Sequence, residues 1–230
     1  MRSHAFCVAM AAALSTLTAA GATAAQDIDV AFNAALTSDY VFRGVSQTSE
    51  DPALQVGVDL TNGGFYVGAW ASNVDFGDDT DAEIDLYGGY RTEVEGFAVD
   101  FGIVGYTYVN SPSIPDAGYG YVEFKAAASR AIGPVTAGAA VYYSPDFFGF
   151  DDEATYVEGN VAFAPADKWT VSGAIGKQFL DFSDDYTTWN VGVGYALTDN
   201  LVADFRYHDT DVENSDLYDG RVVGTIKVLF

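Results

Sequence analysis

Basic residues, cysteine, histidine and proline are all scarce in this chain, and each shortage closes off a class of function. Ten lysines and arginines stand against 33 aspartates and glutamates. That imbalance argues against a nucleic-acid partner, because binding a phosphate backbone needs a basic surface. Cys7 is the single cysteine and lies in the N-terminal apolar segment, so the rest of the chain has no disulfide framework, thiolate metal site or cysteine nucleophile. Beyond that segment no stretch is apolar for long enough to cross a bilayer as a helix, so membrane insertion would have to be by barrel. Proline numbers 6, whereas glycine (24), tyrosine (15) and phenylalanine (16) are abundant. Such a composition suits a membrane barrel and equally a secreted β-sandwich.

The N-terminus reads as a secretory signal. Arg2 supplies a positive start, an apolar run follows from Ala5 to Ala20, and the small residues Ala22-Thr23-Ala24-Ala25 offer a cleavage site. Taking residues 1–25 as the signal leaves 26–230, about 205 residues, enough for one sizeable domain.

What is present in quantity is alternation. The period is two, in segments near ten residues long, the length a tilted spanning strand needs. Twelve such segments fall at about 27–43, 52–61, 65–73, 81–90, 97–109, 119–130, 135–143, 154–164, 169–179, 187–197, 201–208 and 218–230. In the tenth, Trp189, Val191, Val193, Tyr195 and Leu197 alternate with Asn190, Gly192 and Gly194. The last segment puts Val222, Ile226, Val228 and Phe230 on one face and Arg221, Thr225 and Lys227 on the other. Connections alternate too: mostly short turns such as Asn62-Gly63-Gly64 and Thr198-Asp199-Asn200, with Arg91 to Gly96 the longest of that set, exchange with longer acidic loops such as Val74 to Thr80 and Ser144 to Glu153. Short periplasmic turns, longer external loops and an even strand count are the pattern of outer-membrane barrels. The expected fold is all-β, a transmembrane antiparallel up-and-down barrel of about 12 strands.

Charge placement sharpens this. Asp27, Asp29, Asp39, Asp59, Glu83, Asp85, Asp100, Glu123, Glu158 and Asp204 all fall on the face opposite the apolar one. So do Arg43, Lys125, Arg206, Arg221 and Lys227. Arg130 and Lys177 fall on the apolar face, near strand ends where they can snorkel to headgroups. Hydrocarbon demands such a face, since a charge there costs ~2–4 kcal/mol at mid-depth. A soluble barrel would invert the assignment, with the apolar face as core, and alternation alone does not separate the two. Aromatics near strand ends favour the membrane: Phe65, Phe97, Phe163, Trp169 and Phe230 on one rim, and Phe42, Tyr143, Phe179, Trp189 and Tyr207 on the other.

Three segments carry a family resemblance. Thr37-Ser38-Asp39-Tyr40-Val41-Phe42-Arg43-Gly44-Val45-Ser46-Gln47-Thr48, then Gly64-Phe65-Tyr66-Val67-Gly68-Ala69-Trp70-Ala71-Ser72-Asn73-Val74-Asp75, then Glu83-Ile84-Asp85-Leu86-Tyr87-Gly88-Gly89-Tyr90 resemble the motifs of the TorF-type porins. These are proteobacterial outer-membrane proteins long filed as a domain of unknown function. The resemblance spans the mature chain and is strongest over 37–90. It implies an outer-membrane barrel taken to form a pore, with no agreed functional residues to carry over.

The candidate site is therefore the lumen, expected to be lined by Asp29, Asp59, Glu83, Asp85, Asp100, Glu123, Glu158 and Asp204, opposed by Lys125, Arg206, Arg221 and Lys227. Net negative charge inside a low-dielectric wall favours cations. The expected function is passive diffusion of small solutes with a weak preference for cations. The competing expectation is a non-conducting structural or adhesive barrel, with Glu123 or Asp204 paired to Lys125 or Arg206, tyrosines filling the bore, and acidic loops binding ions or polysaccharide. Phe followed closely by Asp-Asp recurs in Asp75-Phe76-Gly77-Asp78-Asp79, Phe150-Asp151-Asp152 and Asp181-Phe182-Ser183-Asp184-Asp185. None of these has a calcium-loop spacing. His208, alone at a strand–loop junction, makes a poor base, and no nucleophile stands at a demanding spacing, so an enzyme is not expected. No cofactor or metal is expected. The expected partners are outer-membrane lipid and lipopolysaccharide, the barrel-assembly machinery through the strand ending at Phe230, and small solutes or cations, in the outer membrane of a Gram-negative cell.

Overall fold

Alternating side chains need two environments, and the backbone of a strand placed in lipid needs a partner on each side; a closed barrel supplies both. The computed structural model describes residues 28–112 and 118–230, so the expected signal segment and Asp27 lie outside the described residues. The strands are β1 (Asp29–Thr37), β2 (Val41–Phe42), β3 (Val45–Ser46), β4 (Ala53–Asn62), β5 (Phe65–Asn73), β6 (Ala82–Val94), β7 (Phe97–Val109), β8 (Tyr121–Ile132), β9 (Val135–Ser144), β10 (Ala154–Ala166), β11 (Trp169–Leu180), β12 (Tyr186–Ala196), β13 (Leu201–Thr210) and β14 (Arg221–Leu229). A single 3₁₀ turn, Asp216–Tyr218, precedes β14. All but β2 and β3 form one closed antiparallel barrel in which each strand pairs with its neighbours in the chain. The seam joins β14 to β1, with Ala34 opposite Val228 and Leu36 opposite Ile226, and Phe230 exchanges two backbone hydrogen bonds with Phe32.

The apolar face points outward. Phe32, Leu86, Phe205 and Val222 are 54%, 63%, 65% and 69% exposed, whereas Glu83, Glu123 and Gln178, which face the interior, are 1% exposed. A soluble barrel would show the reverse, so this is a membrane barrel. Arg130 and Lys177 stay on the outer side as expected, and the Arg130 guanidinium lies 5.0 Å over the Phe97 ring near the short-turn rim.

Two strand boundaries depart from the sequence expectation by four residues or more, each because of turn chemistry. Arg91 to Gly96 is not a loop. β6 runs on to Val94, Arg91 pairs with Asp100, and the turn shrinks to Glu95 and Gly96, both at positive φ (52° and 80°), the backbone of a tight two-residue hairpin turn. The second departure is larger. β1 ends at Thr37 and does not continue to residue 43. The alternation of 38–46 belongs to a separate hairpin, β2–β3, whose tip is Arg43 and Gly44, again both at positive φ (48° and 85°). Phe42 is consequently not on the lipid rim; its ring meets Tyr106 edge-on at 6.0 Å inside the barrel.

Candidate functional site

The β2–β3 hairpin lies in the lumen, because its residues touch the wall all the way round. The Tyr40 ring packs against Trp70 of β5 at 5.2 Å and its hydroxyl donates to Glu83 Oε1 of β6 at 3.4 Å. Arg43 donates from Nη1 and Nη2 to the two carboxylate oxygens of Glu123 on β8 (2.8 and 2.7 Å), and from Nη1 to Gln178 Oε1 on β11 (3.1 Å). Its guanidinium also stacks over Tyr142 of β9 (5.0 Å) and Tyr156 of β10 (4.4 Å). Gly44 sits so close to β12 and β13 that a Cβ there would lie 2.4 Å from Thr188 Oγ1 and 2.5 Å from Thr210 Cγ2. With its left-handed φ, two separate constraints demand glycine at this one position.

Local hydrogen bonds set the entry angle of the hairpin. Ser46 Oγ and Thr48 Oγ1 donate to Asp39 Oδ1 (2.7 and 2.9 Å), and Arg221 Nη1 of β14 donates to Asp39 Oδ2 (3.1 Å) and lies 3.4 Å from Glu50. The loop is thus tied at both base and tip. The Thr37-Ser38-Asp39 and Ser46-Gln47-Thr48 flanks and the Arg-Gly tip carried the signal for this in the sequence: side chains that bond local backbone, around a pair suited to positive φ.

Above the hairpin, at the end bearing the long loops, aromatic rings close ranks. The Phe-Asp-Asp recurrences converge there: Phe76 lies 5.7 Å from Phe148, Phe150 stacks on Phe182 at 4.3 Å, and Tyr119 stacks on Phe148 at 4.6 Å. These rings rest on Tyr108 and Tyr121 of the wall. The carboxylates beside them tie loops together. Tyr119 Oη donates to Asp78 Oδ2 at 2.6 Å and the Thr80 amide to Asp78 Oδ1 at 2.8 Å. Hydrogen bonding to Tyr119 holds the Asp78 carboxyl below its usual range, and the same contact pushes the Tyr119 phenol up. The Thr187 backbone amide likewise lowers Asp211. Among the described residues no group of three or more His, Cys, Asp or Glu gathers as a metal site.

Below the hairpin the wall carries polar clusters. Asp100 is the centre of one: Lys125 Nζ approaches at 2.8 Å, Arg91 Nε at 3.2 Å and Tyr66 Oη donates at 2.8 Å, while the Arg91 guanidinium covers the Tyr66 ring at 3.8 Å. Arg206 forms another, with Asp204 at 3.3 Å, Asn190 Oδ1 at 2.6 Å and Ser172 Oγ at 2.8 Å. Tyr87 Oη donates to Asp59 at 2.7 Å, and Tyr156 Oη and Asn160 Nδ2 each donate to Glu158 at 3.1 Å.

The residues expected in the lumen are therefore distributed unevenly. Glu83, Asp85, Glu123, Lys125, Asp204 and Arg206 are buried inside the barrel, and Asp59, Asp100, Glu158, Arg221 and Lys227 are partly buried there. Asp29 is exposed at the rim, at the very start of β1. The pairing differs from expectation in one half: Asp204 does pair with Arg206, but Glu123 pairs with Arg43, and Lys125 with Asp100. Sequence reasoning missed Arg91, read as a turn residue, and missed that Arg43 bridges the bore from a loop. Among the described residues every inward-facing Arg and Lys except Lys227 stands in an ion pair, whereas Asp59, Glu83, Asp85 and Glu158 have no basic partner in one. The uncompensated charge of the lumen is negative.

A closed twelve-stranded barrel with lipid-facing apolar residues and a polar, ionised interior is a porin-like outer-membrane barrel. The chain belongs to the family described as a bacterial protein of unknown function (Gcw_chp), which matches residues 21–228. No curated protein matches the sequence. Among solved structures the chain is similar to the KdgM porin, at 7% identity and a TM-score of 0.59, over 87% of this chain and 97% of that one; KdgM has also been solved in complex with disordered oligogalacturonate. It is similar too to the COG4313 outer membrane channel from Pseudomonas putida F1, at 10% identity and a TM-score of 0.50, over 91% of this chain and 97% of that one. These neighbours are porins and channels rather than enzymes, and at such identities the likeness is one of fold.

Proposed function

We propose that this protein is a porin-like channel of the Gram-negative outer membrane, passing small solutes by passive diffusion with a weak preference for cations, and that it performs no catalysis. The observation that carries the preference is the imbalance of pairing: four inward carboxylates stand outside any ion pair among the described residues, against one lysine, Lys227, whose charge acts on Asp59. In a low-dielectric wall such charges attract counter-ions and repel co-ions. KdgM has been solved with an oligogalacturonate, a polyanion; the carboxylates here favour neutral or cationic solutes instead. On this reading residues 1–25 are a cleaved signal, the mature chain 26–230 is of the TorF type, the β14 strand together with Phe230 engages the assembly machinery, and the outer face meets lipid and lipopolysaccharide.

A second reading rests on the β2–β3 hairpin and the aromatic cap, which cross the bore at two levels. It makes the protein a non-conducting barrel whose acidic loops bind ions or surface polysaccharide. One experiment separates the two. The refolded mature chain is recorded in a planar bilayer under a KCl gradient. Discrete steps with a cation-directed reversal potential support the channel, and a folded, heat-modifiable barrel without steps supports the second reading.

A further inference from the structure

Glu83 and Asp85 sit two residues apart on the inward face of β6, 1% and 9% exposed. They face the same space and lie side by side. Two adjacent carboxylates removed from water repel each other strongly and need either a compensating cation or a shared proton. Among the described residues no basic side chain supplies the cation. Arg43 is spent on Glu123 and Arg221 on Asp39, and neither Glu83 nor Asp85 has a basic partner among the described residues. Ordinary hydrogen bonding does not make up the difference. Tyr40 Oη reaches Glu83 Oε1 at a long 3.4 Å and the Tyr108 hydroxyl also bears on Glu83, but no hydrogen bond of good geometry among the described residues satisfies Glu83 Oε2 or Asp85 Oδ1, both buried. Glu123, which accepts from Arg43 at 2.8 and 2.7 Å, and Asp100, which accepts from Lys125 and Tyr66 at 2.8 Å, show how the same wall satisfies an acid when it supplies a basic partner.

We propose that the Glu83–Asp85 pair, with the Tyr40 hydroxyl above it, binds a hard metal cation of the Ca²⁺ kind. Carboxylate and hydroxyl oxygens are the donors such ions prefer, and a double positive charge matches the pair. Two carboxylates are too few for a closed structural cage, so the ion is exchangeable. The site deepens the cation preference proposed above and rests on it only for the route by which the ion arrives. The Tyr40 hydroxyl already reaches Glu83, so an ion bound there ties Tyr40 of β2's approach segment to β6.

Trp70 gives the test its location. It is the direct cross-strand neighbour of Asp85 on the inward face, it touches Tyr40, and the other two tryptophans, Trp169 and Trp189, lie on strands β11 and β12. The refolded mature chain in detergent is titrated with Tb³⁺, an oxygen-seeking stand-in for Ca²⁺, exciting tryptophan and reading Tb³⁺ emission, then competing with Ca²⁺. Emission that Ca²⁺ displaces, with affinity about ten-fold or more weaker in E83Q/D85N, is expected. Trp70→Phe should abolish most of the sensitised emission while leaving Ca²⁺ affinity unchanged. Asp184→Asn, in an exposed loop, should change neither. Each variant is first shown to fold by heat-modifiable mobility; should the double variant not fold, Tyr40→Phe and the single variant Asp85→Asn serve, with a smaller weakening expected from each. Emission unchanged by E83Q/D85N or by Trp70→Phe would place the ion on the acidic loops and overturn the proposal. So would absence of emission from a folded barrel, with an infrared band of a protonated carboxyl that E83Q/D85N removes, since the compensator would then be a shared proton. Bilayer recordings on the same samples keep the two readings apart. A cation-selective channel that binds no Tb³⁺ overturns the site alone, and a barrel that binds Tb³⁺ at Trp70 without conducting overturns the channel alone.

Discussion

Arg43 and Glu123, 80 positions apart in the chain, meet across the lumen in a two-point ion pair of 2.8 and 2.7 Å. Both side chains are almost fully buried, at 6% and 1% exposure. A guanidinium fork on a carboxylate is the strong, geometrically fixed form of the interaction, and removing one member of a buried pair leaves an uncompensated charge costing ~3–5 kcal/mol. Arg43→Ala should therefore free the hairpin tip. The expected outcome is a larger or noisier single-channel conductance, a stronger cation preference because Glu123 is released, and a heat-modified band that unfolds at lower temperature. Glu123→Gln should share the destabilisation but not the gain in cation preference.

Selectivity should follow the unpaired charges and ignore the paired ones. Glu158→Gln and Asp59→Asn together remove two carboxylates that have no basic partner, so the reversal potential under a salt gradient should move toward zero. Lys227→Gln should move it the other way. Asp204→Asn and Arg206→Gln together, which delete a neutral pair, should leave it nearly unchanged. Equal shifts from all three would remove the pairing argument.

Gly44→Ala adds one methyl where the backbone is left-handed and two threonines lie within 2.5 Å of the new atom. Strain in that backbone region costs of order 1–3 kcal/mol. The barrel should still form, since its strands are untouched, but the hairpin should lose its seat. Proteolysis from the long-loop side, cutting at Arg43 in the variant and not in the parent, would register the change.

The Tyr119–Asp78 contact predicts a pH response at the mouth. Because the hydrogen bond lowers the Asp78 carboxyl, the charged form is the one that holds the loops. The contact is complete at neutral pH, where Asp78 is ionised with or without its partner. It is lost as the pH falls below the ordinary aspartate range near 3.8 and through the lowered folded value. Tyr119→Phe should raise the Asp78 titration part of the way toward its ordinary range, since the Thr80 amide still donates to it, measurable by NMR of the carboxyl carbon, and should widen the pH range over which the loops are open.

The barrel itself was legible because its cause is local. A period of two, charges confined to one face and turn residues at regular intervals fix strand number and facing together. Strands β5 and β7 match the sequence expectation residue for residue. What escaped was non-local. The segment from Ser38 to Ser46 alternates as well as any wall strand, and the decision to leave the wall at Thr37 is made by Asp39 meeting Arg221, 182 positions away, and by Arg43 meeting Glu123. The convergence of Phe76, Phe150 and Phe182 was visible as a repeated Phe-Asp-Asp phrase, yet its meaning as a shared aromatic cap depends on loops from three separate hairpins curling over one axis. Arg91 was lost to a boundary: a two-residue turn and a six-residue turn look alike when both end in glycine.

The inward hairpin has one more consequence, a mechanical one. A thin-walled tube under the lateral pressure of a bilayer yields by flattening, since the hinge angle between paired strands can change with little loss of hydrogen bonding, whereas sliding the strands would break their ladders. Here β2–β3 reaches β6 through Tyr40, β8 and β11 through Arg43, β12 and β13 through Gly44, and β14 through Asp39. Spokes running from one hub to points spread round the circumference resist ovalisation in every direction at once. The segment that narrows the bore is also the brace that keeps the tube round.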